Sequence, residues 1–248
     1  MKGDDPTPNP SQPLGAGAEV LADYELWWCN HFQWLKDIGY LLRPRYAPGW
    51  VPSWRSSKKI WYRCEDAQIP WYGHILDATR IDDGAFVALK VVSKSRHPFE
   101  VEIASYFSSE SIANDPANHC IPIYEVTQVP DDQDKVIMIM PLLGMHGDPS
   151  FDTFGEAVEC FRQLFEGLRF MHNHHVAHRD CMTLNIMMDP KRLYIDAFHP
   201  FQPTMRRDFK GLARHFSRTQ RPPKYFFIDF GISCRYDPAD EEPTEDPI

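Results

Sequence analysis

His178-Arg179-Asp180-Cys181-Met182-Thr183-Leu184-Asn185 is the stretch on which the reading of this chain turns, a His-Arg-Asp loop with an Asn five residues after the Asp. Upstream of it Phe154, Ala157, Val158, Phe161, Leu164, Phe165, Leu168 and Met171 recur at helical steps, behind a Thr153-x-x-Glu156 capping box. The spacing predicts a long helix with that set as its core face. Downstream, the apolar run Tyr225 to Ile228 leads into Asp229-Phe230-Gly231. Further upstream, HILDATRI (74–81) and AFVALKVV (85–92) flank Asp82-Asp83-Gly84, which predicts a β-hairpin carrying Lys90. Residues 100–109 read as a helix, 135–140 (KVIMIM) as a buried strand and 24–37 as a helix. Strands first and helices after predict an α+β chain of two lobes.

With 248 residues, 43% hydrophobic and 25% charged, the chain can bury about 70–75% of its unfolded surface. Twenty-two Pro and 13 Gly without a repeat period exclude collagen-like, solenoid and coiled-coil architectures. Neither a signal peptide nor a membrane span is visible, and six widely spaced cysteines form no disulfide framework or Cys-x-x-Cys pattern. Reduced thiols in an intracellular setting, cytoplasmic or nuclear, are therefore expected. The net charge of −9 is largely that of residues 237–248, which hold six acids and no base. Residues 190–224 carry nine bases against two acids. Both segments read as solvated loops, and nothing interleaves aromatics with bases as a nucleic-acid surface would. Residues 1–18 and 237–248 read as disordered. All seven Trp lie between 27 and 71, so 19–71 reads as an aromatic extension fixed onto the following domain.

Val87-Ala88-Leu89-Lys90, a helix Glu, His178-Arg179-Asp180-x4-Asn185 and Asp229-Phe230-Gly231, in that order, resemble the protein kinase family. The likeness is strongest to a fungal branch of kinase-like proteins, over Gly49-Trp50-Val51-Pro52-Ser53-Trp54, Leu76 to Arg80, Asn118-His119-Cys120 and Phe227 to Ser233. It spans about residues 20–236. It implies a β-rich N-lobe at 72–143 and a mainly helical C-lobe at 144–236, the latter with a basic insert at 190–224. It also implies ATP and Mg²⁺ as cofactors and a protein substrate or partner, with no nucleic acid or membrane. By the resemblance Lys90 holds the α and β phosphates, Glu102 on the next helix fixes Lys90, and Asp180 orients the attacking hydroxyl. Asn185 and Asp229 hold the metal, Met140 controls the back of the adenine pocket, and Pro141-Leu142-Leu143 form the hinge. His178 and Arg179 are scaffold.

The pattern has departures. IPWYGHILDATR offers only Gly73 where kinases carry a Gly-rich phosphate loop, and Met182 stands where many Ser/Thr kinases have Lys. Forty-nine residues separate Asp180 from Asp229, the surplus being the basic insert, and only 19 follow Asp229, with no Ala-Pro-Glu segment. The C-lobe is therefore expected to be truncated. Three functions follow: a protein phosphotransferase, a pseudokinase or truncated fragment acting as a binding module, and a small-molecule kinase of the aminoglycoside type.

Overall fold

The computed structural model describes residues 19–237 and 239, so the segments read as disordered, 1–18 and nearly all of 237–248, lie outside the described residues. Where one helix was expected over 24–37 there are two, α1 (Asp23–Asn30) and α2 (Phe32–Asp37). The chain turns at His31, whose ring bonds the Trp27 carbonyl at 2.7 Å and Asp131 at 3.0 Å. Five strands follow in one antiparallel sheet: β1 (Tyr40–Leu42), β2 (Ile75–Arg80), β3 (Phe86–Ser93), β4 (Glu125–Gln128) and β5 (Lys135–Pro141), in the order β1-β2-β3-β5-β4. The segment read as an extension thus supplies an edge strand to the lobe it was thought to decorate. β1 and β2 are joined by the thirty-two residues 43–74.

The β2–β3 hairpin closes through a four-residue loop, Ile81 to Gly84, one longer than the Asp-Asp-Gly turn expected. The Arg80 amide still donates to the Ala85 carbonyl at 2.8 Å. Gly84 takes φ +71, a left-handed conformation that glycine adopts without steric penalty, and donates to the Arg80 carbonyl at 2.9 Å. Asp83 accepts from the Ala85 amide and the Arg80 guanidinium, fixing the tip.

Strand alternation gives the sheet two buried faces. Leu76, Ala78, Val87, Leu89, Ile137 and Ile139 pack outward against Trp28, Phe32, Leu35 and Tyr46 of the aromatic segment. α1 is held there by a buried ion pair in which Arg45 donates to Glu25 at 2.6 and 2.9 Å. On the inner face, Val92, Val136, Met138 and Met140 meet Ile103, Ala104 and Phe107 of α3 (Glu100–Phe107). The same apolar cluster continues to Cys160, Leu164, Phe170 and Met171 of α4 (Phe154–Asn173), so the two lobes share one core.

The lower lobe is built around α4. β6 (Gly144–Met145) and β8 (Ile186–Met188) form a small sheet with β11 (Tyr225–Phe227), and β7 (Val176–Ala177) pairs with β12 (Cys234–Arg235). The Thr153 hydroxyl caps α4 by accepting from the Glu156 amide at 3.2 Å, while Glu156 takes the Asp152 amide and both Thr219 donors. The expected core face of α4 is corrected. Phe154 is 91% exposed, and Val158, Phe161 and Phe165 also face outward. Two apolar stripes share this helix, and only the one containing Cys160, Leu164 and Met171 meets the sheet and β11.

The basic insert is folded, against the expectation of a solvated loop. β9 (Phe198–His199) pairs with β10 (Gln202–Arg206), and Leu193 and His199 are fully buried. Its bases act singly rather than as a block. Arg218 is buried over Phe151 and donates to the Tyr225 hydroxyl at 2.8 Å, and Arg214 pairs with Asp196. Phe201 joins the outer cluster of the upper sheet beneath Arg43. All six cysteines are free thiols. Among the described residues no helix is long and apolar enough to cross a membrane.

One contact between the aromatic segment and the insert has a pH consequence. Glu65 accepts from Arg43 at 2.6 Å and faces the buried His199 at 3.4 Å. Burial pushes its carboxyl up, but His199 and Arg43 outweigh it and hold the pKa down to about 2 from 4.5. A depressed carboxyl contributes stability that is fully present above pH 4.5 and lost as pH falls through about 2. The contribution is on the order of 3 kcal/mol. Acid titrations of unfolding free energy should therefore show a steeper loss between pH 4.5 and 2 in the native chain than in Glu65→Gln.

Candidate active site

The inner face of the upper sheet forms the roof of a cleft. Register places Ile75, Lys90 and Met138 side by side across β2, β3 and β5, and Asp77, Ala88 and Met140 one step further along. A cavity of about 200 Å³ lies beneath them, bounded by Pro141 to Met145, by Leu184 and Met187, and by Asp229 and Phe230. Met140 and Leu142 both line this cavity. Pro141 has no amide proton and the Leu142 amide donates to the Phe86 carbonyl at 3.4 Å, whereas the Leu143 amide donates to no acceptor among the described residues.

Lys90 is buried between two carboxylates. Its ammonium donates to Glu100 and, at 2.8 Å, to Asp229. Burial works against the ammonium, but Glu100 and Asp229 outweigh it and raise its pKa. The effect is reciprocal: burial pushes the Asp229 carboxyl up, and the Lys90 charge beside it brings it below the usual range. Both groups are charged at neutral pH.

The helix partner of Lys90 is Glu100, which corrects the assignment to Glu102. At 100° per residue, Glu100 shares a face with Ile103, Ala104 and Phe107, all buried. Glu102 points to solvent and lies 3.6 Å from Arg235. The i, i+3, i+4, i+7 spacing was present in the sequence and would have chosen Glu100. Glu100→Gln should lower stability by about 2–4 kcal/mol, because it leaves the buried ammonium with one carboxylate. Glu102→Gln should change it by less than about 0.5 kcal/mol. Paired denaturant melts read the difference.

The lower wall is a braid of two segments. β8 and β11 pair so that Ile186 faces Phe227, which brings Asn185 and Ile228 together past the strand ends. The Ile228 amide donates to the Asn185 carbonyl at 3.0 Å, and its own carbonyl accepts from His178 Nε2 at 3.0 Å. His178 is packed between Phe227 and Phe230, and burial lowers its pKa. Neutral with its proton on Nε2, it accepts the Asp180 amide on Nδ1 at 3.3 Å. Asp180 accepts from Asn185 Nδ2 at 2.7 Å on its carboxylate and 3.1 Å on its carbonyl. Arg179 and Asp229 adopt positive φ, 68° and 64°, which turns the two loops. His97 donates to the Gly231 carbonyl at 3.0 Å, so the Asp-Phe-Gly turn is tied to the upper lobe as well.

The donor set suits a hard cation. With Asn185 Nδ2 committed to Asp180, its Oδ1 remains an acceptor, and Asp229 offers a carboxylate oxygen beyond the one bonded to Lys90. One carboxylate and one amide oxygen, completed by phosphate oxygens and water, match the way Mg²⁺ is held at nucleotide sites. Among the described residues no cluster of three or more His, Cys, Asp or Glu forms a self-sufficient metal site.

The protein kinase domain model matches residues 71–241. The chain belongs to the protein kinase family. No curated protein matches its sequence. The crystal structure of the PF14_0431 kinase domain is similar, with 17% sequence identity and a TM-score of 0.45. The match covers 68% of this chain and 49% of that one, so this kinase chain spans about half the length of the solved domain.

Sequence reasoning missed the second wall of the kinase cleft. Phe198, Pro200, Phe201 and Pro203 of the insert line the cavity, with the Phe198 ring packed beside Gly144. The insert is fastened to the roof by Arg207, which donates to the buried Asp77 carboxylate and lies 4.4 Å over the Phe86 ring. Arg43 approaches the other Asp77 oxygen at 4.0 Å.

Proposed function

We propose that this chain binds ATP with Mg²⁺ in the cleft and transfers the γ-phosphoryl group to a Ser or Thr hydroxyl of a protein. The observation that carries the reading is the charge relay across the cleft, in which Glu100 fixes Lys90, Lys90 faces Asp229, and Asp229 adjoins the Asp180–Asn185 loop. Lys90 is held charged and oriented toward the phosphates. Asn185 and Asp229 hold the metal ion, which supplies neutralisation of phosphate charge. Asp180, oriented by Asn185, accepts the proton of the attacking hydroxyl. Adenine lies against Met140 and Ala88, with the Leu143 amide as its hinge donor.

A second reading, a nucleotide-binding module without turnover, is favoured by Met182, exposed two residues after Asp180, where a cation would meet the transferring phosphate. Thermal shift and transfer of labelled phosphate, run together, test both. Millimolar ATP with Mg²⁺ should raise the melting temperature, adding about 2.7 kcal/mol of stability at 100 times the dissociation constant. Asp229→Asn should remove the Mg²⁺-dependent part. Label appearing in a protein pool supports the phosphotransferase, label in a small-molecule pool redirects it, and a thermal shift without transfer leaves the binding module.

A further inference from the structure

A second cavity, of about 370 Å³, shares no lining residue with the cleft. Its size is that of a small-ligand site, roughly 300–1,000 Å³. It lies where the β1–β2 connection meets the end of β10. The connection supplies Trp50, Lys59 and Arg63, the last of which ends a single 3₁₀ turn over Trp61–Arg63. The insert supplies Phe209 and Lys210 from the turn after β10, where Phe209 takes φ +57 and its amide donates to the Arg206 carbonyl at 2.9 Å.

Three carboxylates also line the cavity, and each is already engaged. Glu65 accepts from Arg43 at 2.6 Å and faces His199 at 3.4 Å. Asp66 is buried and accepts the Trp50 indole at 3.1 Å, the Ser53 amide at 2.9 Å and the Ser53 hydroxyl at 2.6 Å. Asp208 accepts the Lys210 amide at 3.0 Å and lies 3.5 Å from Arg206. The cations are not so placed. Arg43, Arg45, Arg206 and Arg207 nearby each face a carboxylate, whereas the side chains of Lys59, Arg63 and Lys210 form no hydrogen bond or ion pair among the described residues. A concave surface lined by unpaired charge of one sign focuses its field and concentrates counter-ions.

We propose that this cavity is a second ligand site, taking a phosphomonoester dianion between Lys59 and Arg63 on one side and Lys210 on the other, with its organic group against Trp50 and Phe209. The site is independent of the nucleotide reading above. A phosphate monoester carries about −1.5 to −2 charges at pH 7 and offers three oxygens. The Arg63 fork can take two of them in parallel, and the two ammonium groups act as point charges on the same group. A carboxylate would bring one charge to three cations. Occupied, the site ties the β1–β2 connection to the insert.

The indole N–H signals of the native chain, followed by nuclear magnetic resonance, test it. The Trp50 signal, assigned by its loss in Trp50→Phe, reports the cavity, and that of the fully buried Trp28 outside it is the reference. Phenyl phosphate should shift Trp50 saturably and leave Trp28 unmoved, and phenol should shift neither. Arg63→Ala and Lys210→Ala should each weaken phenyl phosphate about three- to tenfold, the worth of a charge-assisted bond open to solvent. Lys191→Ala, a base of the insert outside the cavity, should change it by less than about twofold. Because the three cations have no partner in the fold, melts of the variants should match the native chain. An unmoved Trp50 signal, an equal response to phenol, or a loss in Lys191→Ala equal to that in Lys210→Ala would overturn the site. Inorganic phosphate binding as tightly as phenyl phosphate would overturn the role of Trp50 and Phe209. A short phosphoserine peptide and glycerol phosphate separate the sources. Tighter binding of the peptide assigns the site to a phosphorylated polypeptide and equal binding to a small ester, each upholding the phosphomonoester.

Discussion

Asp180→Asn should lower phosphoryl-transfer kcat by about 10²–10⁴-fold while leaving ATP affinity within about twofold, a barrier increase of about 3–5 kcal/mol. The substitution isolates the base because an asparagine oxygen can still accept from Asn185 Nδ2, now at 2.7 Å, and the backbone bonds at His178 and Ile228 are untouched. The loop should therefore keep its shape while losing the group that takes the proton. Single-turnover kinetics with a protein substrate pool, alongside equilibrium ATP binding, give both quantities. Turnover equal to the native chain would remove Asp180 from the mechanism. A parallel fall in ATP affinity would make it a structural residue.

The second large effect is expected at the roof of the cleft. Arg207→Ala leaves Asp77 buried with only Arg43, 4.0 Å away, and removes the cation lying over Phe86. Breaking a buried pair on one side costs about 3–5 kcal/mol, because the remaining charge keeps its desolvation penalty. Removing both charges, as in Asp77→Val with Arg207→Leu, should recover much of that loss. Denaturant melts of the two singles and the double form the required cycle. Additive losses would show that the pair does not couple the insert to the sheet.

The candidate site was legible in the sequence because its signals are local in the chain. Lys90 on an apolar strand, Asp180 with Asn185, and Asp229 before Phe-Gly each carry their signal within a few residues, and the fold brings Lys90 to Asp229 and Asn185 to Asp180. Glu100 was equally readable, since helical spacing places it, and not Glu102, on the face of Ile103, Ala104 and Phe107. What could not be read is non-local. β1 is three residues long inside a Pro- and Trp-rich stretch, too short for a periodic signal, and it is a strand because β2 pairs with it across a thirty-two-residue connection. The insert looked solvated because its bases outnumber its acids. Its burial depends on isolated residues, Leu193, Phe198, His199 and Phe201, meeting surfaces from other parts of the chain. The apolar residues of α4 were overcounted for a related reason: hydrophobic spacing shows that a helix has apolar stripes, not which stripe meets a neighbour.

The Asp77–Arg207 pair also orders events during biosynthesis. The two residues are 130 apart in sequence. At about 5–20 residues per second, Arg207 is added roughly 7–26 s after Asp77, whereas a hairpin such as β2–β3 closes in about 1–10 μs. All five strands of the upper sheet have been synthesised by Pro141, so the nascent lobe can assemble its ladder while the Asp77 side of β2 is still hydrated. Closure of that face waits for the second half of the chain. A ribosome stalled after β5 has left the exit tunnel and before Arg207 is added would carry a sheet that is paired along its strands but open at its roof, and that open roof is the surface that a chaperone binding nascent chains would meet.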